Sequence, residues 1–124
     1  MNTQIKKRNL IISYGSFCSG KSSLTRVITN DQKTKYFSFP SSSKVSMEKE
    51  LIQNFKNLEA CDYVVIECIE NHFNKLQNKL FENPLPVKNL IIEVSTSKQL
   101  KINKSLSLIY NLAVMNSITI KNFN

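Results

Sequence analysis

The sequence predicts one α/β domain spanning residues 1–124, with a five-stranded, mostly parallel sheet and helices on both faces. Short apolar runs rich in Ile and Val recur along the chain, as buried strands do. Between them lie stretches whose apolar residues return at helical spacing. The two patterns alternate without a break, and such alternation builds a parallel sheet between helical layers.

Asn9-Leu10-Ile11-Ile12-Ser13-Tyr14 reads as the first strand. Leu24, Val27 and Ile28 then stand at i, i+3 and i+4, one face of a helix over Ser23–Thr29. After the polar turn Asn30–Lys33, Lys35–Phe39 is a second strand, stopped by Pro40 and the loop Ser41-Ser42-Ser43-Lys44. Ser46 is a candidate N-cap, with Glu48 and Glu50 in the first turn and Met47, Leu51, Phe55 and Leu58 at helical spacing. Asp62–Ile69 forms a buried third strand. A helix over Asn71–Phe81 carries Phe73, Leu76 and Leu80 on one face and ends at Asn83-Pro84. Val87–Val94 is the fourth strand, Ser95-Thr96-Ser97 a loop, Gln99–Asn111 a helix and Ser117–Ile120 the fifth strand.

Composition narrows the class. A chain of 124 residues with 41% apolar content fits one soluble domain. No apolar run approaches the roughly 20 residues that span a bilayer, so no transmembrane segment is expected. Lys6, Lys7 and Arg8 precede only Leu10–Ile12 before polar residues return, too short a core for a signal peptide. Cys18, Cys61 and Cys68 are scattered, with no C-x-x-C spacing, and fit a reducing cytoplasmic location. His72 is the single histidine, so metal-ligand spacing is absent. The net charge of +8 is mostly lysine. It fits either affinity for a polyanion such as DNA or a solvated lysine-rich surface.

Between the first strand and the first helix stands Gly15-Ser16-Phe17-Cys18-Ser19-Gly20-Lys21-Ser22, which reads G-x-x-x-x-G-K-S, the P-loop pattern. The chain has two glycines, and both lie here. Glycine lets the backbone close round a phosphate chain, and successive N–H groups together with the positive end of the helix face the anion. The expected nucleotide site is therefore Gly15, Ser16, Phe17, Cys18, Ser19, Gly20, Lys21, Ser22 and Ser23. Lys21 reaches the β- and γ-phosphates and stabilises charge during γ-phosphate cleavage, and Ser22 ligates Mg²⁺.

Such a site needs an acid at the carboxyl end of a strand beside the loop's own strand. Tyr63-Val64-Val65-Ile66-Glu67 has the pattern, so Glu67 is expected to hold Mg²⁺ through water or to polarise the attacking water. Glu70 is a reserve candidate, and Asp62 lies at the opposite end of that strand. The D-x-x-G of switch GTPases is missing, and Asn103-Lys104-Ser105-Leu106 lacks the aspartate that reads guanine, which points to ATP rather than GTP. No arginine follows Arg26, so a kinase-type lid has only lysines such as Lys75 and Lys79.

The glycine loop, Asp62–Glu67, Leu90–Gln99 and the terminal Ile118-Thr119-Ile120-Lys121-Asn122 together resemble the small P-loop ATPases of the partition and positioning group, the ParA, MinD and StbB-like proteins. The resemblance implies a cytoplasmic, Mg²⁺-dependent ATPase whose nucleotide state governs association with a second copy, with DNA or with a DNA-bound partner in plasmid maintenance. It also implies that Asn122 contacts adenine and that Asp31 orients water. Two alternatives stay open. One is a small phosphotransferase acting on a nucleoside or metabolite, with Glu67 as general base and an acceptor site between Phe37 and Lys44. The other is a nucleotide-binding module that does not hydrolyse.

Overall fold

The computed structural model describes residues 8–39, 55–58, 60–82, 87–102 and 115–123. The elements run β1 (Arg8–Gly15), α1 (Lys21–Ile28), β2 (Thr34–Phe39), α2 (Phe55–Leu58), β3 (Tyr63–Ile69), α3 (Glu70–Glu82), β4 (Asn89–Ser95) and β5 (Met115–Asn122). The predicted loop at Ser41–Lys44 and the first part of the helix from Ser46 lie outside the described residues. So does most of the helix expected over Gln99–Asn111; its first residues, 99–102, are not helical.

All five strands are parallel, in the order β2-β3-β4-β1-β5. This order corrects one expectation. The strand bearing Glu67 does not lie beside β1, because β4 pairs with both and separates them. Asn89–Val94 is as apolar as β1 and β3, and a strand flanked by two others on a covered sheet must be apolar on both faces.

The register divides the side chains by face. Leu10, Ile12 and Tyr14 of β1 align with Leu90, Ile92 and Val94 of β4, and these with Val64, Ile66 and Cys68 of β3. Phe37 and Phe39 of β2 extend the same face. These residues form one buried cluster with Phe73, Leu76 and Leu80 of α3 and with Leu58 of α2. Burying each large apolar side chain contributes about 1.5–3 kcal/mol, so this face holds the sheet together.

The opposite face lies under α1. Val65 and Ile91 are buried there. One step nearer the carboxyl ends comes a polar row across neighbouring strands: Ser38, Glu67, Glu93, Ser13 and Lys121. The buried face of α1 also departs from the apolar spacing. Val27 is 75% exposed, whereas Lys21 and Thr25 are buried. Local bonds satisfy the buried hydroxyls: Thr25 Oγ1 donates to Lys21 O, and Thr29 Oγ1 to Thr25 O.

Candidate nucleotide-binding site

The turn from β1 to α1 closes into a cradle at the carboxyl end of β1. Gly20 takes a left-handed φ of 102° and Cys18 one of 59°, so the chain reverses within a few residues. Gly20 caps α1 without any side-chain hydrogen bond to the helix end. The N–H groups of Lys21, Ser22 and Ser23 precede the first intrahelical bond, Leu24 N to Gly20 O at 3.2 Å, and are left for an anion.

Gly15 is needed for closeness. A Cβ there would come within 3.0 Å of Ser19 Oγ, 3.1 Å of Phe123 Cβ and 3.2 Å of the Phe123 carbonyl carbon. Phe123 is held in place by its own N–H, which donates to Tyr14 O at 2.9 Å. The start of the loop is fixed from the other side by Thr96 N, which donates to Gly15 O.

Lys21 turns back across this cradle. Its Nζ donates to Ser16 O at 2.6 Å, Gly15 O at 3.1 Å and Ser19 Oγ at 3.2 Å. Burial pushes its pKa below the ordinary lysine value, against the opposing pull of Glu93, then Cys18 and Glu67. Lys21 therefore shares a field with two carboxylates on adjacent strands.

Those two carboxylates differ. Glu93 is 3% exposed and accepts a 2.9 Å hydrogen bond from Ser22 Oγ. Glu67 is exposed and, among the described residues, hydrogen-bonds only with Ser38 Oγ, at 3.5 Å. The loop's serine thus touches the acid of β4, the strand next to its own, not the acid of β3. Glu93 is the site residue that sequence reasoning missed. The signal was present: Asn89-Leu90-Ile91-Ile92-Glu93 repeats the apolar-then-acid pattern of Tyr63–Glu67.

A cavity of about 400 Å³ over the loop is lined by Phe17, Cys18, Ser19, Gly20 and Lys21, then Ser22 and Ser23, and on its far wall by Glu67, Glu93 and Ser95. It gathers the central expected residues into one place. Asn122 aligns with Tyr14 at the end of β5, at the same end of the sheet as the loop. Asp31 does not join them. It stands in the turn before β2, which aligns with the start of β3, whereas the loop follows the end of β1. Its carboxylate meets Asn30 at 3.5 Å. Glu70 is also engaged elsewhere, accepting from Thr96 Oγ1 at 2.8 Å.

No protein-family model matches the sequence, and no curated protein matches it. Among solved structures, the chain is similar to that of C. elegans PCH-2. The TM-score is 0.51 at 17% identity, and the match covers 93% of this chain and 34% of that one. The fold is a single α/β unit with a five-stranded, all-parallel sheet and helices, consistent with a P-loop nucleotide-binding fold. The chain spans about a third of the length of PCH-2, and the likeness is one of fold alone.

The residues fit a magnesium ion. Mg²⁺ takes hard oxygen ligands and is held by one or two carboxylates together with substrate phosphates, not by an all-protein cage. Ser22 Oγ and the Glu93 carboxylate already meet, Glu67 stands on the neighbouring strand, and Ser13 Oγ, buried in the same row, has no hydrogen bond among the described residues. No group of three or more His, Cys, Asp or Glu residues that could hold a metal occurs among the described residues. Among those residues no helix is long and apolar enough to cross a membrane.

Proposed function

We propose that this chain binds Mg·ATP at the glycine loop and cleaves its γ-phosphate. The observation that carries the reading is Lys21 turned over the cradle with Ser22 bonded to a buried Glu93. In the nucleotide complex the helix-start N–H groups and Lys21 Nζ hold the phosphate oxygens, with Lys21 exchanging carbonyl partners for phosphate ones. Ser22 and Glu93 would hold a magnesium ion, which would supply charge neutralisation to the phosphates. Glu67, on the open side of the cavity, takes the proton of the attacking group. Asn122, at the loop's end of β5, is the proposed contact to the base.

Slow turnover that rises on association with a partner would suit a chain whose described residues bring no arginine to the loop cavity. A second copy or DNA is the proposed partner in the partition-type reading, and the net charge of +8 favours DNA. The test is binding of a fluorescent ATP analogue by wild type and Lys21→Ala, followed by phosphate release with and without duplex DNA. Equal binding by both proteins would remove the loop from consideration. Turnover unchanged by DNA would leave the ATPase without its partition role.

A further inference from the structure

A second cavity, of about 390 Å³, adjoins the one over the loop, and the two share Ser22, Glu67 and Glu93. Its remaining walls are Arg26 on α1 and Tyr36, Phe37 and Ser38 on β2, with Val65 of β3. Arg26 stands one helical turn beyond Ser22 and, among the described residues, makes no hydrogen bond or ion pair. Tyr36 is 56% exposed, its hydroxyl anchored 3.3 Å from Thr29 Oγ1. Ser38 Oγ leans on Glu67 at 3.5 Å.

We propose that this second cavity binds a small anion bearing a hydroxyl group and that the hydroxyl, not water alone, receives the γ-phosphoryl group. The inference rests on Mg·ATP binding at the loop and adds the substrate that sits beside it. A guanidinium in a cleft is a carboxylate or phosphate receptor, and its planar fork orients what it binds. The tyrosine ring offers an apolar wall, and Ser38 with Glu67 a hydroxyl-binding corner. A pocket of this volume suits a metabolite-sized ligand.

Glu67 borders both cavities, so a hydroxyl seated against it also faces the phosphate end of the nucleotide. The step balances. The acceptor oxygen forms a bond to the γ-phosphorus, and the bond from that phosphorus to the β,γ-bridging oxygen breaks. ADP departs with the electron pair, and the hydroxyl proton passes to the Glu67 carboxylate.

The anion's charge can come from a phosphate or from a carboxylate, so ribose 5-phosphate and glycerate serve as separate probes. Ligand-observed NMR would follow each with wild type, Arg26→Ala and Tyr36→Ala, with a non-hydrolysable ATP analogue bound. ADP formation from ATP would be measured in parallel. The expected result is binding of at least one probe, weakened about tenfold or more by Arg26→Ala, with affinity for the analogue unchanged within about twofold. That probe also raises ADP formation and appears phosphorylated at its hydroxyl. If the analogue binds but neither probe does, or if Arg26→Ala leaves probe binding intact, the second-substrate pocket is refuted while nucleotide binding stands. If the analogue itself fails to bind wild type, the reading of the loop fails instead.

Discussion

Ser22 Oγ on α1 donates a 2.9 Å hydrogen bond to Glu93 Oε1 on β4, so the loop's serine and a buried carboxylate are already in contact. Glu93→Gln keeps the shape and the acceptor oxygen but removes the charge from the proposed magnesium site. It should weaken Mg²⁺-dependent binding of an ATP analogue about tenfold. Glu67→Gln should leave binding nearly intact and lower turnover instead. Analogue titrations at several Mg²⁺ concentrations separate the two, and equal affinity of Glu93→Gln and wild type would return the metal role to Glu67.

Lys21 makes its three polar contacts with the loop alone. Lys21→Ala should lower nucleotide affinity by about tenfold to a hundredfold, the worth of one or two charge-assisted hydrogen bonds. Because burial of the ammonium carries its own cost, the variant's denaturation midpoint should stay close to wild type. A large loss of stability would mean that Lys21 mainly holds the loop's shape.

Gly15→Ala places a methyl group against Phe123, including a backbone atom that cannot rotate away. The expected cost is about 1–3 kcal/mol, read from chemical denaturation. Adding Phe123→Gly removes the Cβ part of that clash and leaves the backbone part, so the double variant should recover part of that loss relative to Phe123→Gly alone. Full recovery would show that the backbone contact is soft.

Burial, with Glu67 adding to it, pushes the Cys68 thiol from 9.0 up to about 12. The unfolded chain loses that proton above pH 9, while the folded one keeps it. Stability from this group is therefore complete below pH 9 and falls as pH rises toward 12, by about 1.4 kcal/mol per pH unit. Lys21, with its pKa lowered, acts in the opposite sense, so the readout is the difference between wild type and Cys68→Ala. That difference should shrink across the window, and a constant difference would argue against a buried neutral thiol.

Cys18 is exposed and lines the loop cavity, whereas Cys61 and Cys68 are buried. Brief treatment with iodoacetamide should modify Cys18 alone, and a bound ATP analogue should slow the reaction severalfold. Mass spectrometry of the labelled peptides decides it. Undiminished labelling in the presence of saturating analogue would place the nucleotide away from Cys18.

The loop was legible because its chemistry is local. Two glycines, a lysine and a serine at fixed spacing sit between a strand and a helix, and neighbours in sequence are neighbours in space. The five strands were legible from runs such as Leu10–Ile12 and Val64–Ile66. Strand order was not, since β1, β3 and β4 carry similar apolar runs and nothing local says which pair is adjacent. The expectation of Glu67, with Glu93 not considered, rests on that ambiguity. Lys21 and Thr25 displaced Val27 from the buried face for a related reason: the lysine is drawn into the loop, which a count of apolar spacing does not register. Arg26 and Tyr36 come together across α1 and β2, and no motif marks them.

Strand β1 finds its partners late. Asn9 bonds to Asn89, 80 residues on, and to Ser117, 108 residues on, and every residue of the glycine loop hangs from that strand. During synthesis, β1 emerges first and waits, unpaired along both edges, until β4 and β5 leave the ribosome. At translation speeds of about 5–20 residues per second the wait lasts several seconds. An apolar segment exposed for that long invites capture by other chains, so the yield of folded protein should depend on chaperones and on translation rate more than its small size suggests.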